Sequence, residues 1–534
     1  MMRGRRLLLF AGLFLLVTAC MDGGRQSASL HTVMAETAQL ILPEKGSVRL
    51  PFVVEEADYR FDLENEVYLY PVTGVTPHVK ECMLTRVERD TVPGRYVAVI
   101  TDAGVRRDYA VDVLLGVRNT DGTIVFSAPI RCCGDLYPTR GVIPKSGLPV
   151  LYVNTENDAP IVSKDDYLPM EFRLLETPSG TLSEPLTGSI RGRGNTTWGW
   201  PKKPYLMKLD KKASMLEMPS HKRWILLANF MDRTLMRNLV AMKVSSLTSL
   251  DWTPRCRNVE LVLNGRHRGT YLLIEQVRVD KKRVNIQEMS ASDNAGDAVT
   301  GGYLLELDFH YDNEVQWIDP HGQCVQLPSG IPFAVKYPDP EDLTPSQRSY
   351  IQNYVAEAAQ ALYGPDFRDP EKGYAAYIDV DSFIDYWIVY EVMGNHELGN
   401  PGSVYLHKDR GGKLVAGPCW DFDWGVLSYN ANPQARTGLL NLHAIWYDRL
   451  FQDPDFRAKA RTRFRELLPA LQTIPAYIDE TKAYLESSAA DNFRLWDPTQ
   501  DGMINGDEAL RFEEAVFRLK TIYQERLAII ESQL

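Results

Sequence analysis

Between about 41 and 145 apolar residues recur at every second position. Tyr109, Val111, Val113, Leu115 and Val117 alternate with other residues, and Asn119-Thr120-Asp121-Gly122 then turns the chain into Thr123-Ile124-Val125-Phe126. Period two with close turns predicts a small antiparallel β-sandwich-like domain over 41–145, ended by the linker 138–144. Beyond it strands and helices mix. Val259 to Leu263 and Thr270 to Glu275 flank Asn264-Gly265, a hairpin signal. Met236, Leu239, Val240, Val244 and Leu247 recur at helical spacing, with Asp232 as a cap. Thr344-Pro345 opens a helix whose buried face is Ile351, Tyr354, Val355, Ala358 and Leu362. Val380, Phe383, Ile384, Trp387, Ile388 and Val392 make another, closing near Gly394. After about 430 the pattern is helical, ending in the run Glu508 to Leu534. The expected class is α+β.

The first residues read as an address rather than fold. Arg3, Arg5 and Arg6 precede the apolar run Leu7 to Val17, and Val17-Thr18-Ala19-Cys20 has the small-residue pattern of a bacterial lipoprotein cleavage site. The run is shorter than the roughly 20 residues a spanning helix needs. Residues 1–19 are expected to be a lipoprotein signal peptide, Cys20 the lipidated new N-terminus, and 20–40 a flexible tether. The expected location is the cell envelope, periplasmic or at the cell surface, with the membrane reached through the lipid on Cys20.

The chain has 534 residues and a formal charge of -11. Taking Arg3, Arg5 and Arg6 off the 59 basic residues leaves 56 against 70 acidic ones, a net -14. An acidic body argues against nucleic acid as partner. Six cysteines besides Cys20 include no C-x-x-C pair and no zinc spacing, so they are not a disulfide framework; of the adjacent Cys132 and Cys133 at most one would pair, with Cys82 a partner to consider.

Two stretches are richer in Gly, Trp and charge than folding requires. Ser189 to Lys208 carries Gly192, Gly194 and Gly199 ahead of Lys202, Lys203 and Lys208. Such glycines let backbone N–H groups approach an anion and lysine adds a point charge, so the chemistry suits phosphate; the spacing also fits a tight hairpin with solvated lysines. Gly417 to Gly425 holds Asp421 and Asp423 at i and i+2 between aromatics, a pair suited to Mg2+ bound with substrate phosphates, or to capping turns and pairing with Arg.

Together with Lys222 to Asn229, Met236-Arg237-Asn238, Leu263-Asn264-Gly265, Gly269-Thr270-Tyr271 and Gly301 to Glu306, these stretches resemble the CotH family, spore coat protein H kinase-like proteins, over about 145 to 430. The resemblance implies an atypical protein-kinase-like fold for 146–534, with a helical C-terminal part, that binds ATP and Mg2+. It assigns Arg191, Gly192, Gly194 and Asn195 to the phosphate loop, Lys208 or Lys203 to the strand lysine, and Glu275 to Val277 to a hinge offering backbone groups to adenine. Asp421 takes the metal-binding position and Asp423 replaces the glycine that follows it.

One departure concerns the catalytic base. Relatives place an Asp shortly after a Gly-Asn pair, whereas Glu391 to Tyr405 contains none; Glu397 is the substitute, with Asn395 or Asn400 as second metal ligand. Position 400 is Asn rather than the His a zincin requires. Asp497, Asp501, Asn505 and Glu508 have the spacing of an EF-hand loop with Gly502 at its turn, so Ca2+ is considered there beside a plain polar turn. The activity implied is a lipid-anchored protein Ser/Thr kinase acting on an extracytoplasmic protein with ATP and Mg2+. The alternative is a catalytically weak or inactive pseudokinase serving as a surface binding or adhesion module.

Overall fold

A computed structural model describes residues 32–37, 39–42, 47–55, 67–73, 76–77, 83–84, 86–101, 110–119, 121–134 and 144–534, apart from 178, 310–315, 326 and 497–504. Residues 1–19, Cys20, Cys82, Tyr109, Asp497 and Asp501 lie outside these residues. Among the described residues no helix is long and apolar enough to cross a membrane. The chain divides into two compact units, Met1–Ile143 and Pro144–Leu534.

The described residues of the first unit form two sheets. One orders Val33–Ala35, Ser47–Val54, Arg95–Thr101 and Arg86–Arg89; the other is built on Gln39–Leu42, Ile130–Gly134, Ala110–Arg118 and Val67–Thr73. Leu50, Phe52 and Val54 from the first and Val113, Leu115 and Val117 from the second are buried in a single cluster, as period two demands. Gly122, at φ 86°, donates its N–H to the Asn119 carbonyl at 2.9 Å and turns the chain into Ile124–Phe126. The tether expectation needs correction at its end. Val33–Ala35 pairs with Ser47–Val54, and Gln39–Leu42 runs parallel to Ile130–Gly134, so strands begin inside 20–40. These segments are too short to show a period, yet Val33 and Leu40 are buried.

The second unit opens with a closed seven-stranded barrel that period reading did not foresee. Its strands are β1 (Val150–Thr155), β2 (Leu168–Leu175), β3 (Leu186–Gly192), β4 (Tyr205–Met215), β5 (Met218–Leu227), β6 (Cys256–Leu263) and β7 (Arg266–Glu275). They are ordered 1-2-3-4-5-7-6, and a parallel pairing of β1 with β6 closes the ring. Tyr205, Met207, Trp224, Leu226, Tyr271 and Leu273 share one core, while Leu206, Ile225, Leu227, Leu272 and Ile274, alternating with them, belong to another. Strands β4, β5 and β7 are thus apolar on both faces where they pack against the rest of the unit. The β6–β7 hairpin turns at Asn264 and Gly265, both left-handed at φ 51° and 69°.

A five-stranded antiparallel sheet follows: β8 (Tyr303–Leu307), β9 (Gln316–Asp319), β10 (Ile331–Tyr337), β11 (Val404–Lys408) and β12 (Leu414–Ala416), ordered 9-10-8-11-12. The longer helices among the described residues are α1 (Arg237–Ser245), α2 (Pro345–Tyr363), α3 (Val380–Val392), α4 (Pro454–Leu471), α5 (Ile474–Leu495) and α6 (Phe512–Gln533). Thr344 and Gln347 form a reciprocal capping box on α2. Helix α3 is buried around nearly its whole circumference and closes before Gly394, at φ 59°. Asp232 accepts the Arg237 N–H at 2.8 Å, holding the start of α1 from outside the helix. The last helix starts at Phe512 rather than Glu508, because Leu510 N–H closes a turn on Asp507 and Arg511 caps the helix with Glu514.

Candidate functional site

A cleft of about 1080 Å³ lies where the outward face of β4 and β5 meets the five-stranded sheet. Leu206, Ile225 and Leu227 join Val277, Leu304 and Ala334 in an apolar part of its wall. Charge is divided across it. Of the charged lining residues on the barrel side apart from the buried Lys202, namely Lys164, Asp165, Arg191, Arg193 and Arg278, four are basic. Of those beyond residue 300, Glu306, Asp308, Lys336, Glu397, Asp421 and Asp423, five are acidic. Such a division suits a ligand that presents an anion to one wall and a cation to the other.

The glycine-rich loop reaches the cleft because two positions exclude a Cβ. At Gly192 it would strike the Trp198 ring, and Gly194 holds φ 86° with Thr197 Oγ1 in the way. Arg191, Gly194 and Asn195 line the cleft; Gly192 does not, its N–H donating to the Ser163 carbonyl at 2.9 Å. The Arg193 guanidinium lies 5.8 Å from the Trp420 ring centroid, so it bridges the two halves.

The structure does not bring the two lysines chosen from sequence to the cleft. Lys208 is exposed in the middle of β4, opposite Ser189 and Arg223, because the strand continues well past it. Lys203 donates from Nζ to the Trp198 carbonyl at 2.7 Å and braces the loop. Lys202, the third lysine of the glycine-rich stretch, is fully buried with Nζ donating to the Thr270 carbonyl and to Asn492 Oδ1. A cleft-lining lysine that escaped the sequence reading is Lys336 on β10, 3.1 Å from the Glu306 carboxylate. At the hinge-like segment Gln276 and Val277 line the cleft, whereas the buried Glu275 carboxylate is turned to Arg255, at 2.8 Å.

Glu397, Asn400, Asp421 and Asp423 all line the cleft, although the chain separates them into two segments. Hydrogen bonds from three distant asparagines fix those segments. Asn238 Oδ1 accepts the Phe422 N–H at 2.8 Å, Asn505 Oδ1 accepts the Gly425 N–H at 2.8 Å, and Asn395 Nδ2 donates to the Asp421 carbonyl at 3.4 Å. Asn395 Oδ1 also accepts the Glu397 N–H at 2.8 Å, orienting the Glu397 turn. Asp421 itself sits at φ 62°, a left-handed conformation that Asp tolerates better than most residues.

Burial raises the pKa of Glu397 well above the carboxylate range, with the charges of Asp421 and Asp423 adding to it. Burial likewise raises Asp423, helped by the Asp421 charge, and raises Asp421, there opposed by the Arg193 guanidinium. Clustered buried carboxyls ionise together when a cation replaces their protons. Among the described residues seven cleft-lining side chains hold a buried polar atom without a hydrogen-bond partner: Arg191 Nε, Trp200 Nε1, Asn229 Oδ1, Gln276 Oε1, His396 Nδ1, Glu397 Oε2 and Asn400 Oδ1. Buried polar atoms are normally paired with protein or water, so these seven are free to bond a polar ligand or solvent in the cleft. Among the described residues no three His, Cys, Asp or Glu side chains form a ready metal cage. The side-chain oxygens of Asn400, Asp421 and Asp423 are, however, of the kind Mg2+ takes, which is one or two carboxylates together with substrate phosphates.

Of the EF-hand-like positions, Asn505 and Glu508 are described, and Asn505 N–H donates to Glu508 Oε1 at 2.7 Å. The Asn505 carboxamide is engaged with the Asp423–Gly425 main chain.

A barrel, a sheet and a helical part around one divided, carboxylate-lined cleft define a mixed α/β protein. The family model described as CotH kinase protein matches residues 190–530, and the chain belongs to this family. No curated protein matches the chain.

Proposed function

We propose that the cleft binds ATP with Mg2+ and transfers its terminal phosphoryl group to a Ser or Thr hydroxyl of a protein. The observation carrying this reading is the division of charge: cations on the barrel lip for the polyphosphate, and carboxylates opposite for the metal and the incoming hydroxyl. Arg191 and Arg193 on that lip, together with Lys336 of the opposite sheet, would hold phosphate oxygens, and Gln276 and Val277 the base. Asp421, Asp423 and Asn400 would hold Mg2+, which neutralises charge on the transferring group. Glu397 Oε2, buried and unpartnered, would orient the attacking hydroxyl and take its proton. The same reading makes 146–534 an atypical protein-kinase fold, the first unit a β-sandwich spacer, and Cys20 a lipid anchor in the cell envelope. Ca2+ at Asp497 to Glu508 would be a separate site.

The test is the thermal shift on adding ATP and Mg2+ to wild type and to Asp421→Ala, followed by phosphate transfer to envelope proteins. Wild type should gain stability and the variant lose most of that gain. No shift in wild type rejects the nucleotide reading. A shift without transfer to any protein leaves a nucleotide-binding pseudokinase, the second reading, which the Glu397 replacement favours.

A further inference from the structure

The segment carrying Asp421 and Asp423 is held from about 80 residues further along the chain, by an asparagine with no atom in the cleft wall. Asn505 is 1% exposed. Its Oδ1 accepts the Gly425 N–H at 2.8 Å, while Nδ2 donates to the Asp423 carbonyl at 3.1 Å and to the Met231 carbonyl at 2.7 Å. One rigid amide therefore grips the main chain on both sides of Trp424 and ties it to Met231 on the barrel side of the cleft. Asn505 is itself fixed, its N–H donating to Glu508 Oε1 at 2.7 Å and its carbonyl accepting from Ser428 Oγ.

This grip matters because of what Asp423 must do. Two carboxyls at i and i+2 repel when both are ionised, and without a brace the segment can relieve that repulsion by turning one of them away. A cation needs both held close. From this geometry we infer that Asn505 is a positioning residue that sets Asp423 for a divalent cation, which makes the turn at 505–508 ahead of α6 a support of the metal site. The inference rests on the Mg2+–ATP reading above. Outer-shell hydrogen bonds of this kind typically carry about ten- to a hundredfold in metal affinity.

The test titrates Mg2+ at fixed ATP on the full chain, reading tryptophan fluorescence, since Trp420 and Trp424 flank the two carboxylates, together with the thermal shift. Asn505→Ala should raise the Mg2+ midpoint about ten- to a hundredfold and reach the wild-type amplitude at saturation. Asn505→Ser, which keeps an acceptor for Gly425, should fall between the two and carries the test should the alanine variant not fold. Ser488→Ala removes a buried hydrogen bond to Glu260 (2.6 Å) from residues that do not line the cleft, and should lower stability without moving the midpoint. A wild-type midpoint in the Asn505 variants, or an equal displacement in Ser488→Ala, overturns the inference while the nucleotide reading stands. A wild type indifferent to Mg2+ and ATP sinks both.

Discussion

Lys336 Nζ lies 3.1 Å from the Glu306 carboxylate, the two residues standing on neighbouring strands of the five-stranded sheet and both lining the cleft. A buried acid that also bonds Tyr405 holds the lysine in one place, so the charge is aimed before any ligand arrives. Lys336→Met should weaken Mg2+–ATP binding about ten- to a hundredfold, as expected for losing a hydrogen bond to a charged group. Lys208→Met should leave it unchanged. Isothermal titration of both variants checks this, and the reverse order would return the role to β4.

Glu397→Gln preserves shape and removes the proton acceptor. Phosphoryl transfer should fall about a hundred- to ten-thousand-fold with the ATP thermal shift intact. Unchanged transfer would remove Glu397 from the role of base.

Lys202 bears on stability rather than chemistry. Burial pushes its pKa down to about 7. A neutral amine has two N–H donors, and the structure supplies two acceptors, the Thr270 carbonyl and Asn492 Oδ1. With the folded pKa below the unfolded one, the unfolded chain binds the extra proton between them. This contribution to stability therefore rises as pH goes from about 7 towards the ordinary lysine value of about 10.4. Lys202→Met should flatten that part of the profile in urea denaturation at a series of pH values; an unaltered slope would place the titration elsewhere.

Arg237 ties α1 to two chain-distant segments. It pairs with the buried Asp232 and with Asp507 at 2.6 Å, and donates to the Val426 carbonyl at 2.8 Å. Arg237→Met leaves two buried carboxylates without their cation and should cost about 3–5 kcal/mol in denaturant unfolding. A loss under about 1 kcal/mol would mean the acids find other partners or protonate freely.

Local signals that were self-contained in the chain appeared where expected. The Asn264-Gly265 turn and the Thr344 cap depend on the conformational preferences of a few adjacent residues, and α3 on a dense apolar run. Glu397, Asp421 and Asp423 were visible because acids set among aromatics and next to a Gly-Asn pair stand out in a sequence. Lys336 and Arg278 did not, being ordinary cations on or next to strands that no local pattern aims at the cleft. Lys208 looked suitable by position, but only the continuation of β4 past it shows that it faces solvent.

By itself the sequence determined the alternating first unit, the hairpin, the caps and the residue types available for phosphate and cation chemistry, since these follow from local backbone and side-chain preferences. Tertiary structure decided the closed barrel, which of several lysines reaches the cleft, and the asparagine clamps at 238, 395 and 505. Each of these depends on strand pairing and hydrogen bonds between residues tens to hundreds of positions apart, and no local pattern encodes such pairings.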